Sequence, residues 1–202
     1  MPLLGLAPGP IERVRADLAV VPLFAGERPL LAAAGRVDWR LCGRLSHLFA
    51  AGRLSGEVGE AVLIPGGGGM RAARVLAVGL GERARIDAAL WEGWVTDVLE
   101  RSRALCARHS VVALPEIADA LAERLAVFAK RAAGFERPAE IALAPEPAET
   151  PGVADWLRAA ARRSRPEGLE ILPPAEARSP HGADAAPSGS VSSHAPAGRS
   201  TR

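Results

Sequence analysis

The sequence predicts an α/β fold in which a mainly parallel sheet is covered by helices on both faces. Three observations carry that expectation. Short apolar, β-branched runs such as ADLAVVPLF, RVLAVGL and SVVAL recur along the chain. Stretches with apolar residues at helical spacing separate them, which implies crossover connections. The runs are apolar on both alternating faces, as strands buried on both sides are. With 49% hydrophobic residues in 202, the chain can bury one substantial core.

Ala16 to Phe24 reads as the first buried strand. Val37 to Ala51 follows as one helix, with Val37, Leu41, Leu45 and Leu48 on one face and Arg36, Arg40 and Arg44 on another. Ala61 to Ile64 and Arg74 to Leu80 read as two strands around a glycine loop. Asp87 is placed to cap a long helix reaching Arg108, whose Trp91, Trp94, Val95, Val98, Leu105 and Cys106 repeat at helical spacing. Ser110 to Leu114 is a strand, and Glu116 to Ala133 a helix with Ile117, Leu121, Leu125 and Phe128 inward and Gly134 past its end. Glu140 to Ala144 is a strand, Thr150 and Pro151 open a further helix, and Leu169 to Leu172 is a last strand.

Residues 1–10 read as a flexible N-terminus, 11–172 as the domain, and 173–202 as a disordered tail. The tail is rich in Pro, Ser, Gly and Ala and has almost no large apolar residue to offset its ordering entropy. No internal repeat is visible. The net charge of +2 comes from nearly balanced acids and bases, so no footprint for nucleic acid or a membrane exists at the level of the whole chain. The N-terminus has no basic leader, and no stretch is long enough to span a bilayer, so the expectation is a soluble cytoplasmic protein.

The glycines are the main site candidates. Gly66, Gly67, Gly68 and Gly69 are consecutive and are followed by a strand, which reads as a strand-to-strand loop. Gly79 and Gly81 follow a strand and lead toward a helix, but without the Lys-Ser/Thr of a P-loop or a full GxGxxG. A plain turn is the main reading of both groups; a backbone cradle for a phosphate is the alternative. Cys42 and Cys106 are expected as buried thiols in helices. His47 and His109 have no Cys, Asp or Glu at ligand spacing and read as ordinary helix residues, so no metal or other cofactor is expected. Asp97 and Glu100 read as a solvated acidic edge, and Arg158, Arg162, Arg163 and Arg165 as cations complementing a helix C-terminus.

GRLSGEVGEAVLI (Gly52 to Ile64) and RVLAVGLGE (Arg74 to Glu82), preceded by ADLAVVPLF, resemble the N-terminal domain of the leucyl aminopeptidase (cytosol aminopeptidase) family, with its glycine-punctuated loop, strand and Val-Gly-Leu-Gly turn. The long helix, SVVAL and LAERLAVFAKRAAGFERP fall in the same order, so the resemblance covers roughly Asp17 to Pro145. It implies a macro-domain-like, three-layer α/β/α fold with a mixed, mainly parallel sheet.

The resemblance also implies that the family's chemistry belongs to a separate domain holding two divalent metals through Asp, Glu and Lys. This sequence has no Asn for that domain's signature, and Lys130 is its only lysine. The segment matching the Asn-rich stretch of ADP-ribose-binding macro domains reads VPLFAG (Val21 to Gly26) and supplies no side-chain amide. The expectation is therefore a non-catalytic interaction or regulatory module without a cofactor. Its expected partner is a protein, either a second copy or a full-length aminopeptidase. A nucleotide- or ADP-ribose-type ligand at the glycine loops is the alternative, and a component of a partner-dependent metalloaminopeptidase the third reading.

Overall fold

The computed structural model describes residues 1–117, 120–134, 139–162 and 168–174. Seven strands form one sheet: β1 (Leu3–Leu6), β2 (Ala16–Phe24), β3 (Ala61–Pro65), β4 (Ala72–Gly81), β5 (His109–Ala113), β6 (Glu140–Ala144) and β7 (Glu170–Ile171). Their order is β3-β4-β2-β5-β6-β1-β7, and only the β3–β4 pair is antiparallel. The helices are α1 (Ala32–Arg40), α2 (Arg44–Ala50), α3 (Ala88–Ala104), α4 (Leu121–Ala133) and α5 (Thr150–Arg162).

β2 lies near the centre because it is apolar on both faces. Val20 packs with the α3–α4–α5 layer and Val21 with the α1–α2 layer, and both are fully buried. The first layer is filled by Trp91, Val95, Leu125, Phe128 and Leu157, the second by Val37, Leu45 and Phe49. Asp87 caps α3 as its position suggests, accepting the Leu90 amide at 2.8 Å. Among the described residues, no helix is long and apolar enough to cross a membrane.

The structure corrects four expectations. Residues 1–10 are not a loose leader: LLGL forms β1 between β6 and β7, with Leu4 fully buried. Its four residues are too short to show a strand period. The helix expected over Val37 to Ala51 is two helices, because Cys42 and Gly43 adopt left-handed backbone conformations (φ 56° and 76°). The carboxylate of Asp38 then takes the freed amides of Leu45 (2.7 Å) and Ser46 (3.1 Å).

Both cysteines are exposed, not buried. Each follows a helix, and Cys106, like Cys42, is left-handed (φ 54°), which swings the side chain out of the helical stripe. Finally, α4 begins at Leu121, not Glu116, and α3 stops at Ala104. The tail expected over 173–202 lies outside the described residues from 175 onward, and Leu172 still donates its amide to Leu4, extending the sheet edge (2.8 Å).

Candidate functional site

In an open α/β sheet, ligands bind beyond the carboxyl ends of the strands, where neighbouring strands send their connections to opposite faces. Here that point lies between β2 and β5. The chain leaves β2 for α1 and α2 on one face and leaves β5 for α4 on the other. The residues that emerge there are Phe24 and Glu27 after β2, Arg83 after β4, Leu114 to Glu116 after β5, and the start of α1.

Side chains of the protein fill this crevice. The guanidinium of Arg83 lies over the Phe24 ring, 3.8 Å from its centroid. One Nη is 2.8 Å from Glu27 Oε2, and the other donates to the Glu116 carbonyl oxygen. The second carboxylate oxygen of Glu27 accepts the amide of Leu31, the residue that opens α1, at 3.2 Å. The protein's own anion therefore occupies the helix start, the position a bound phosphate takes in nucleotide folds. Among the described residues, the cavity left between these side chains is about 10 Å³, about the size of one water.

A second arginine locks the neighbouring strand ends. Arg36 on α1 forms a two-pronged pair with Glu146, at 2.7 and 2.9 Å, and reaches Glu12 at 3.4 Å. Both carboxylates are buried, Glu146 to 4% and Glu12 to 7% exposure. The hydrogen bonds to Glu146 hold the Arg36 pKa above its usual value, against the opposing effect of burial. Buried Arg124 pins the connection after β5 through the carbonyl oxygens of Pro115 and Ile117, each at 3.0 Å, and pairs with Glu149 at 3.1 Å.

The glycine candidates fall into two separate places. Gly66 to Gly69 turn the chain from β3 to β4, at the opposite end of the sheet from the crevice. Gly79 and Gly81 lie at the far end of β4, about 30 Å away for a ten-residue strand. A Cβ on Gly66 would overlap the Ala72 carbonyl oxygen, one on Gly69 that of Arg40, and one on Gly79 that of Glu57. Gly67 and Gly81 hold left-handed conformations (φ 62° and 77°), and only Gly68 faces open space without either constraint. Close backbone packing thus accounts for three of the six, and tight turning for two.

The other flagged residues are also placed. His47 lies on α2, whereas His109 opens β5 and is not helical. It sits between Glu140 Oε2 (3.3 Å) and Asp17 Oδ2 (3.8 Å), neighbours distant in sequence. Asp17 has its pKa lowered, first by the backbone amide of His109 and then by that of Arg108. Among the described residues, no three His, Cys, Asp or Glu side chains are grouped to hold a metal ion. Asp97 pairs with Arg101 at 2.7 Å, and Arg158 with Asp155 at 2.6 Å; Arg163 and Arg165 lie outside the described residues.

An open groove of about 650 Å³ runs past Leu30, Asp38, Trp39, Cys42 and Gly69. Trp39 is 74% exposed there. The sequence periodicity, which followed Val37 and Leu41 as the buried stripe, gave no sign of this outward tryptophan.

The model of the cytosol aminopeptidase family, N-terminal domain, matches residues 20–135. A curated cytosol aminopeptidase of Stenotrophomonas maltophilia (strain K279a) is 35% identical over 117 residues, 58% of this chain and 23% of the relative. One of Solibacter usitatus (strain Ellin6076) is 38% identical over 80 residues, 40% of this chain and 14% of the relative. The chain thus matches less than a quarter of the length of these relatives.

Among solved structures, a tomato leucine aminopeptidase variant superposes with a TM-score of 0.54 at 16% identity, covering 71% of this chain and 32% of the other. The macro domain of ganglioside induced differentiation associated protein 2 gives 0.62 at 12% identity over 77% of this chain and 82% of the other. The macrodomain of Mycobacterium tuberculosis DarG gives 0.59 at 12% identity over 73% and 99%. These likenesses establish a macro-like α/β fold. With the family model matching more than half of its residues, the chain belongs to the cytosol aminopeptidase family and carries that family's N-terminal domain.

Proposed function

We propose that this chain is a non-catalytic, macro-like interaction module of the cytosol aminopeptidase family, whose partner is a protein. One observation carries the reading: the strand-end crevice that would receive a small ligand is closed by Arg83, Glu27 and Phe24. The exposed Trp39 beside the groove on α1 supports a protein partner, because large aromatics concentrate binding energy at protein interfaces. The peptidase activity of the relatives needs a cluster of metal-holding side chains, and the single lysine, Lys130, stands exposed on α4. A full-length aminopeptidase is the partner the family membership favours.

The test is affinity purification of the tagged chain from its own cells, with hydrolysis of a leucine anilide assayed in the presence of manganese or zinc. The expected result is a co-purifying full-length aminopeptidase and no turnover by the chain once separated from it. Chelator-sensitive turnover by the pure chain contradicts the reading.

One observation favours a second reading, a small-ligand module. The chain shares its fold with an Oceanobacillus iheyensis macrodomain whose structure is described as with ADP, at a TM-score of 0.54 and 11% identity over 75% of this chain and 87% of the other. Under that reading Gly67 and Gly68, which face open space, offer backbone amides to a phosphate.

A further inference from the structure

The sheet has two edges, and they differ. β7 is two residues long and offers little for another strand to pair with. β3, the other edge among the described residues, has five residues, AVLIP, none of them charged. Natural edge strands are kept apart by lysines, inward charges or bulges; here Pro65 alone serves that purpose. Leu63 is 43% exposed on this strand, and Val58, just before it, 54%.

The register settles which backbone groups face outward. Gly66 donates its amide to Ala73 and Glu60 accepts that of Gly79, at 2.9 and 2.8 Å. Hydrogen-bonded positions alternate along an antiparallel ladder. Between those two points, Val62 and Ile64, opposite Ala77 and Val75, therefore turn their backbone groups toward β4. Ala61, Leu63 and Pro65 turn theirs away, and Pro65 has only a carbonyl to offer.

We propose that β3 pairs antiparallel with β3 of a second copy of this chain, about a two-fold axis at Leu63. Under that operation Leu63 faces Leu63, and the two exchange both N–H···O=C bonds. Ala61 faces Pro65, and each Ala61 N–H donates to the opposite Pro65 carbonyl. The missing proline donor leaves unpaired only the Ala61 carbonyls, at the two ends of the ladder. A slip by one residue would set outward groups against groups already spent on β4.

Self-pairing is favoured because an uncharged strand meets its copy without like-charge repulsion, and a two-fold contact closes. The nearest carboxylate, Glu60, is turned back into its own loop by the amides of Ser55 (2.8 Å) and Gly56 (2.9 Å). This proposal rests on the interaction reading above and adds a second copy as a partner.

Sedimentation equilibrium of the whole chain at rising micromolar concentration tests it, together with Leu63→Lys and Leu63→Pro. The native chain is expected to form a dimer. Leu63→Lys should weaken that dimer roughly tenfold or more by setting two cations on the axis. Amide exchange in the native chain, which needs no variant to fold, should slow at Ala61 and Leu63 as concentration rises. A monomer at every concentration, open-ended aggregation, or a dimer indifferent to both Leu63 variants would overturn the pairing. A monomer that still binds a full-length aminopeptidase removes only this pairing; a Leu63-dependent dimer that binds ADP-ribose keeps the pairing and removes the reading it rests on.

Discussion

Arg83 lies over Phe24 with its guanidinium carbon 3.8 Å from the ring centroid while one nitrogen holds Glu27 at 2.8 Å. Two strand ends, those of β2 and β4, are thereby joined across the place where a ligand would enter. Replacing Arg83 by Ala should cost about 1 kcal/mol, since the pair is partly exposed and the cation–π contact modest. Urea unfolding measures it, and Arg83→Lys should recover only part, lacking the flat fork that serves ring and carboxylate together.

Arg36 is a different case, because its partners are buried. Arg36→Ala leaves Glu12 and Glu146, at 7% and 4% exposure, without their shared cation. The expected loss is about 3 kcal/mol. Replacing Arg36 and Glu146 together by Met should cost less than the sum of the single changes, and a double-mutant cycle by chemical denaturation reads the difference.

The glycine loop makes a graded prediction. Gly66→Ala should cost about 2 kcal/mol or more, because its Cβ meets the Ala72 carbonyl. Gly67→Ala, at φ 62°, should cost about 1 kcal/mol. Gly68→Ala, in open space, should change stability by less than about 0.5 kcal/mol. Equal effects at the three positions in thermal unfolding would remove the packing explanation.

Acid stability should depend on Asp17 and Glu60. Both pKa values are lowered in the folded state, Asp17 chiefly by the amide of His109 and Glu60 chiefly by that of Ser55. A lowered folded pKa stabilises the protein above the unfolded value and loses that contribution as pH falls through the folded one. Asp17→Asn and Glu60→Gln should therefore be less stable than the native chain at neutral pH. The gap should close as pH drops below about 4, as followed by denaturant titrations at several pH values.

Much of the fold was legible because burial leaves a period in the sequence. ADLAVVPLF showed a strand buried on both faces, and Trp91, Trp94, Val95 and Val98 showed the helix stripe that the structure buries. β1 was not legible: LLGL becomes a strand only by lying between β6 and β7, and four residues carry no period. The split between α1 and α2 depends on left-handed Cys42, a conformation that no local pattern at a cysteine announces. The site was less legible still. Arg83 and Glu27, like Arg36 and Glu146, are far apart along the chain and meet only because β2, β4 and β6 end on the same side of one sheet. The glycines were visible but ambiguous, since a loop that packs against backbone and one that cradles a phosphate read alike.

The central claim is that the strand-end crevice is closed to a nucleotide-like ligand. Calorimetric titration of ADP-ribose into the native chain tests it most directly, with Arg83→Ala in parallel. The account predicts no binding heat and no shift of the thermal midpoint at millimolar ligand, since a protein that does not bind gains no stabilisation by mass action. Saturable binding to the native chain that Arg83→Ala alters would contradict it, whereas binding abolished by substitution of Gly67 and Gly68 would leave the crevice closed and move the ligand to the glycine loop at the other end of the sheet.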